Sequence, residues 1–241
     1  MEEIALLKSR TAKKQPYITY EEYLSIAGEP QIIEWVDGEI IRYGQPFYTH
    51  QDIVTFLLAI VGDFISILQL GEMIVAPFEV KLWLDGPSRE PDLLFVSEAN
   101  LVNLTEKRFV GAPDLVVEVI SADSVRRDRV DKFQEYEQAG VREYWLIDPR
   151  PNRQQADFYD RDETGLFVPA ELDEAGVFHS AVLPGFWLNV NWFWEEPLPN
   201  PQLLLAQILM GVEGVSADVR AAYRALYEAL TKSRADFSED M

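Results

Sequence analysis

Two residues carry the chemistry that stands out in this sequence: Glu118, inside the apolar run LVVEVIS, and Lys132, in the helix-patterned segment that follows. Burying a carboxylate costs several kcal/mol unless it is paired, hydrogen-bonded or bound to a cation, so Glu118 in such a run calls for a partner. An edge strand with Glu118 facing water is the alternative.

The elements that would position these groups lie between Ala112 and Pro149. Leu115 to Ser121 is a near-continuous β-branched run, the pattern of a strand covered on both faces. Ser124 to Ala139 reads as an amphipathic helix and Glu143 to Asp148 as a second buried strand. Lys132 lies roughly 12 Å into a helix that begins near Ser124. Glu118 lies roughly 10 Å back from the strand end at Ser121. If the helix folds back along the sheet, the two side chains meet at similar depth, helped by the N-terminal lean of helical side chains. Asp128 and Tyr136 share the Lys132 face at four-residue spacing. On helix spacing alone, Asp128 and Lys132 read as an ordinary surface ion pair.

The 241 residues suffice for one sizeable α/β domain with an appendage. No cysteine is present, which excludes a disulfide framework, a thiolate metal site and a thiol nucleophile. The opening residues lack the pattern of a signal peptide, and the best candidate for a membrane span, Ile53 to Leu70, is broken by Asp63. These features place the protein in the cytoplasm and off the membrane. The net charge of −20 runs against a nucleic-acid partner, because phosphate binding rests on Lys and Arg clusters. The charge is uneven, however: Arg126, Arg127, Arg129, Lys132 and Arg142 bring the stretch from Ser121 to Arg142 close to neutrality.

Residues 1–16 read as a loosely held tail, and Thr19 caps a short helix in YITYEEYL. QIIEWVDGEIIRY reads as a hairpin turning at Asp37-Gly38, with Glu34 in its first strand. A long helix runs from about Tyr48 to Leu70, ended by Gly71; His50 in its first turn reads as a structural or capping residue. EMIVAPFEVKLWL reads as an extended strand pair, DGPSRE as a turn and EPDLLFVS as a short buried strand. Asp92, just before that strand, reads by itself as a turn residue. After Asp148, short strands separated by acidic turns form an antiparallel meander completing a mixed sheet. The prolines around Pro197 mark a boundary, followed by helices over about Gln202 to Met210 and Ser216 to Ser233. The second carries an apolar stripe (Val219, Ala222, Tyr223, Leu226, Ala229, Leu230) that either wraps its own domain or docks another chain.

EPDLLFV, APDLVVEVIS, RDRVDKFQEYEQAGV and REYWLIDP, in that order, resemble the Uma-two family of restriction-endonuclease-like proteins. IIEWVDGEII, the histidine opening the long helix and LPGFWLNV fit the same pattern, so the resemblance covers about Tyr17 to Trp194. It implies an α/β fold of the restriction-endonuclease type, a mixed β-sheet flanked by helices over residues 17–194; residues 195–241, outside the resemblance, read as a C-terminal helical extension. It further implies a PD-(D/E)-x-K nuclease site, with Asp92 as motif aspartate and Glu118 as second acid, together holding Mg²⁺ or Mn²⁺. The usual lysine position, two residues after Glu118, is Ile120; in this family the lysine moves to the next helix, here Lys132. Glu34 matches a further family acid that approaches the site from the hairpin. Asp114, also preceded by proline, lies about 13 Å along the strand from Glu118, too far for both to bind one cation. The implied chemistry is hydrolysis of phosphodiester bonds in DNA, with Lys132 orienting the nucleophile and stabilising charge on phosphorus. The alternative is a binding or assembly module, for instance a homodimer, that keeps the nuclease scaffold and associates through its C-terminal helices. Hydrolysis of a small phosphorylated substrate, which suits an acidic surface better, is a third reading.

Overall fold

A computed structural model of the chain describes residues 16–26, 32–44 and 47–239, so the N-terminal segment read as a tail falls almost wholly outside the described residues. Helix α1 (Tyr20–Ile26) begins with a capping box: Glu22 N–H donates to Thr19 Oγ1 at 3.2 Å, while Thr19 N–H donates to Glu22 Oε2 at 2.8 Å. Strands β1 (Ile33–Val36) and β2 (Glu39–Arg42) form the expected hairpin. Asp37 and Gly38 sit at φ 49° and 83°, the left-handed pair that a two-residue hairpin turn of this hand needs.

Helix α2 (Tyr48–Leu68) contains a π turn at Leu58–Gly62. It ends at Gln69, left-handed at φ 53°, two residues before the expected stop; Gly71 instead begins β3 (Gly71–Val75). By length and composition α2 is apolar enough to cross a membrane, contrary to the expectation from Asp63. Its buried side chains, among them Ile53, Leu57, Ile60, Val61 and Phe64, pack into the main core.

The strands that follow are β4 (Glu79–Lys81), β5 (Ser88–Arg89), β6 (Leu93–Ser97), β7 (Arg108–Val110) and β8 (Leu115–Val119). The expected pairing within EMIVAPFEVKLWL does not form: β3 joins one sheet and β4 another. The segment read as a turn contributes β5, which pairs with both β1 and β4. Helix α3 consists of a π segment, Arg127–Lys132, and an α segment, Phe133–Ala139, closed by Gly140 at φ 102°. Strands β9 (Glu143–Asp148), β10 (Gln155–Arg161) and β11 (Phe167–Pro169) follow. Next come β12 (Val177–His179) and β13 (Trp187–Asn189), which form a separate hairpin instead of extending the meander.

The larger sheet has the order β11-β10-β9-β8-β6-β3, with β8 and β9 parallel and the other pairs antiparallel. The other has the order β2-β1-β5-β4-β7. Alternation along β6 and β8 decides which face meets which layer. Leu93, Phe95, Leu115, Val117 and Val119 face the core shared with α2. Leu94, Val96, Val116 and Ile120 face the core under α3 and the second sheet. This fixes the direction of Glu118, which has the parity of Val116 and Ile120.

Helices α4 (Pro201–Gly211) and α5 (Ala217–Glu239) close the chain. Leu204, Leu205, Ile208 and Leu209 of α4 belong to the main core. On α5, Val219 and Tyr223 pack against that core, and Arg220 donates to the Met210, Val212 and Val215 carbonyls. Part of the stripe thus wraps its own domain, whereas Ala222 and Ala229 are exposed.

Candidate active site

Leu93 lies opposite Val117 in the β6–β8 ladder, and one step further along this antiparallel register sets Asp92 opposite Glu118. Both acids share the sheet face that looks toward α3. Asp92 Oδ2 accepts Val119 N–H at 2.7 Å and lies 3.2 Å from His50 Nε2. The residue read as a turn former is therefore held by backbone and imidazole, and the histidine read as structural is its neighbour from α2.

Lys132 reaches the same place from α3, as the depth estimate anticipates. Its Nζ lies 2.8 Å from Glu118 Oε1, 3.1 Å from Glu34 Oε1 and 3.6 Å from Asp128 Oδ1. Glu118 Oε1 also accepts the Tyr136 hydroxyl at 2.7 Å. The Asp128–Lys132 pair is no surface pair: both residues are almost wholly buried, because this helix face lies against the sheet. The edge-strand alternative for Glu118 fails for the same reason, since β8 is paired on both sides by β6 and β9.

Glu34, in β1, is fully buried. Trp35 pairs with Ser88, which by register sets Glu34 opposite Arg89. Arg89 Nη1 donates to Glu34 Oε2 at 2.7 Å, and its Nε and Nη2 form a fork on Glu135 of α3 at 2.6 and 2.7 Å. Tyr43 donates to Glu34 Oε2 at 2.5 Å. Arg89 and Tyr43 are site residues that sequence reasoning missed. Nothing local marks Arg89, whose partners lie 46 and 55 residues away, whereas Tyr43 is only nine residues from Glu34, beside the same hairpin. Asp114, set aside on distance, is structural: it accepts Ser97 N–H at 2.8 Å. Ile120 is buried in the core under α3.

The charges follow from this packing. Burial disfavours ionised Glu34, but Lys132 and Arg89 outweigh it and hold its carboxyl at about 2. Burial disfavours the Lys132 ammonium, yet Glu118 and Glu34 hold its pKa well above the usual lysine range. Burial pushes Glu118 upward against the pull of Lys132, with Asp128 and Asp92 adding to the rise.

These groups border a cavity of about 420 Å³, with Glu90, Asp92, Glu118, Asp123, Asp128 and Lys132 in its walls. Among the described residues, Asp128 Oδ1, Glu90 Oε2 and His50 Nδ1 are buried without a hydrogen-bond partner, and all three residues line this cavity. Orphaned carboxylate oxygens in a set of hard oxygen donors fit Mg²⁺ or Mn²⁺. Among the described residues no three acidic or histidine side chains form a ready cage.

The Uma2 family, described as "Putative restriction endonuclease", matches residues 20–191. A solved structure described as "a putative nuclease belonging to DUF820", from Anabaena variabilis ATCC 29413, is similar with a TM-score of 0.60 at 17% identity, covering 73% of this chain and 97% of that one. Likeness at that identity speaks for the fold: a restriction-endonuclease-like mixed sheet flanked by helices. Nothing among curated proteins matches the chain.

Proposed function

The chain belongs to the Uma2 family of restriction-endonuclease-like proteins, and from that premise we propose that it is a divalent-metal-dependent endonuclease, acting in the cytoplasm on phosphodiester bonds in DNA. The observation that carries the reading is the convergence of Asp92, Glu118 and Lys132 in the wall of one cavity, with Glu34 held against Lys132 from outside that wall.

Asp92 and Glu118 would hold Mg²⁺ or Mn²⁺, which supplies an acidified water and positive charge against the phosphate. Hydrolysis joins a water oxygen to phosphorus, breaks the bond from phosphorus to one sugar oxygen and returns a proton to that oxygen. Lys132, kept as an ammonium by Glu34 and Glu118, would counter the negative charge that develops on the phosphate oxygens. Glu34 holds Lys132 from the hairpin side, and Tyr136 fixes the Glu118 oxygen facing the lysine. His50 orients Asp92.

The test is cleavage of plasmid and oligonucleotide DNA with Mg²⁺ or Mn²⁺ by the full chain, Asp92→Ala and Lys132→Ala, with melting curves to establish that each is folded. Each substitution is expected to lower cleavage by about 100-fold or more. Cleavage persisting equally in both variants would overturn the site assignment.

A further inference from the structure

We propose that the cavity beside Asp92 and Glu118 takes one nucleotide of an unpaired strand, its base stacked on Phe47, instead of the backbone of an intact duplex. The proposal rests on the nuclease reading of the same site and names its substrate class.

Depth is the first argument. The side chains that would meet the reacting phosphate are nearly closed to solvent: Lys132 is 2% exposed, Glu118 5% and Asp92 14%. They lie in the walls of a cavity of about 420 Å³, the size of a small-ligand pocket. A paired strand presents its phosphates on the outside of a stiff double helix whose major groove alone is about 12 Å wide. Such a surface cannot bring a phosphate to the bottom of a cavity this small. An unpaired nucleotide can enter by rotating out of its strand, at a cost of a few kcal/mol in a duplex and far less where the strand is already single.

Charge is the second argument. The cavity is lined by five carboxylic residues, Glu90, Asp92, Glu118, Asp123 and Asp128, against one lysine, and the chain carries −20 overall. Duplex binding draws most of its affinity from Lys and Arg that displace counterions along both backbones, and this lining cannot supply it. Affinity has to come from elsewhere.

Phe47 is that source. It lines the cavity and is 70% exposed, and its ring has no aromatic partner among the described residues. Tyr43, the other aromatic in the cavity wall, is already engaged, with the Arg127 guanidinium 4.7 Å from its ring centre. Base–aromatic stacking contributes about 1–3 kcal/mol per base and needs neither sequence nor cationic groups. Isolated exposed aromatics are common on protein surfaces, and Tyr48 supplies the control. It is 81% exposed, one residue along, and lines a different depression bordered by Pro149 and Trp194.

The experiment uses the full chain with fluorescently labelled oligonucleotides of one sequence, as single-stranded DNA, single-stranded RNA and duplex DNA. Binding is read by anisotropy with Ca²⁺, and cleavage with Mg²⁺ or Mn²⁺. At least one single strand is expected to bind about 10-fold or more tightly than the duplex, and the DNA and RNA arms identify the sugar. Phe47→Ala should weaken that binding roughly 5- to 100-fold, Phe47→Trp should retain it, and Tyr48→Ala should leave it unchanged. Duplex bound as tightly as either single strand, no binding of any strand, or no loss in Phe47→Ala would each overturn the proposal. Stacking on Phe47 without cleavage of any strand would remove the endonuclease reading and leave the strand preference standing. Duplex cleavage indifferent to Phe47 would do the reverse.

Discussion

Lys132 is shared between two acids, and the site's electrostatics turn on that sharing. Its Nζ lies 2.8 Å from Glu118 and 3.1 Å from Glu34, in surroundings where an unpaired charge is expensive. Lys132→Met therefore does more than delete the cation proposed to act in catalysis, because it leaves Glu34 and Glu118 facing each other without the ammonium between them. Breaking a buried pair from one side costs about 3–5 kcal/mol, and urea denaturation is expected to show a loss of that size. Adding Glu34→Gln should restore part of the stability but none of the cleavage. A double variant no more stable than Lys132→Met would show that the acids do not couple through the lysine. Glu34 also sets a pH dependence. Its carboxyl is held at about 2 in the fold against an ordinary 4.5, so folding favours the ionised form. Its stabilising contribution is complete above about pH 4.5 and is lost as pH falls through about 2. Urea midpoints taken from pH 5 down to pH 2 should fall more steeply in the natural protein than in Glu34→Gln, and parallel curves would refute this.

Two clasps between elements hold the site's frame, and each makes a separable prediction. Arg89 of β5 ties Glu34 of β1 to Glu135 of α3 with three charge-assisted hydrogen bonds, so it joins the smaller sheet to the helix that carries Lys132. A lysine there keeps the charge and loses the fork. Arg89→Lys should cost about 2–3 kcal/mol and lower kcat with little change in KM. A raised KM at constant kcat would mean that Arg89 serves binding instead of positioning. The second clasp is Glu143 at the start of β9, which accepts Trp145 Nε1–H at 2.6 Å, Ser180 Oγ–H at 2.9 Å and Ala181 N–H at 2.6 Å, tying the larger sheet to the segment after β12. Burial raises its carboxyl to about 7 despite these donors. An acid whose folded pKa is raised holds its proton better folded than unfolded, so this contribution is complete below about pH 4.5 and is lost as pH rises through about 7. Glu143→Gln should flatten the decline of the melting temperature between pH 5 and pH 8, and an unchanged slope would remove Glu143 as its cause. These clasps also show what the sequence could reveal. The β8–α3–β9 unit was legible because a strand buried on both faces and an amphipathic helix leave strong periodic signals. The Asp37-Gly38 hairpin was legible because its turn needs two left-handed residues. Arg89 was not, since its two partners, Glu135 and Glu34, lie 46 and 55 residues away. Nor was the separation of β3 from β4, because apolar runs record burial and not which sheet provides it. The π segment of α3, which sets the angle from Asp128 to Lys132, leaves no periodic trace over only six residues.

At the scale of the molecule, the C-terminal helices are the part whose standing is least obvious from the chain, since the family match ends at residue 191 and prolines precede them. Packing argues that they complete the main core. Leu204, Leu205, Ile208 and Leu209 of α4 are buried in the cluster that holds α2 and one face of the larger sheet. Full burial of one such side chain contributes about 1.5–3 kcal/mol, so the four together supply on the order of 10 kcal/mol. A domain of this size has a total stability of about 5–15 kcal/mol. Removing everything after Glu195 would also open the α2 surface on which α4 rests. The shortened chain is therefore expected to lose its cooperative melting transition and its near-ultraviolet circular dichroism, and to bind a hydrophobic dye such as ANS. A shortened chain that melts cooperatively within about 5 °C of the full protein would instead make residues 195–241 a detachable extension. In that case the exposed flank of α5 at Ala222 and Ala229 would become the place to look for a partner. If the truncation unfolds the domain, comparing Leu205→Ala with Ala222→Glu in the full chain separates the two roles. The first should cost about 2–5 kcal/mol, and the second should leave stability unchanged, because Ala222 lies on the exposed side of α5.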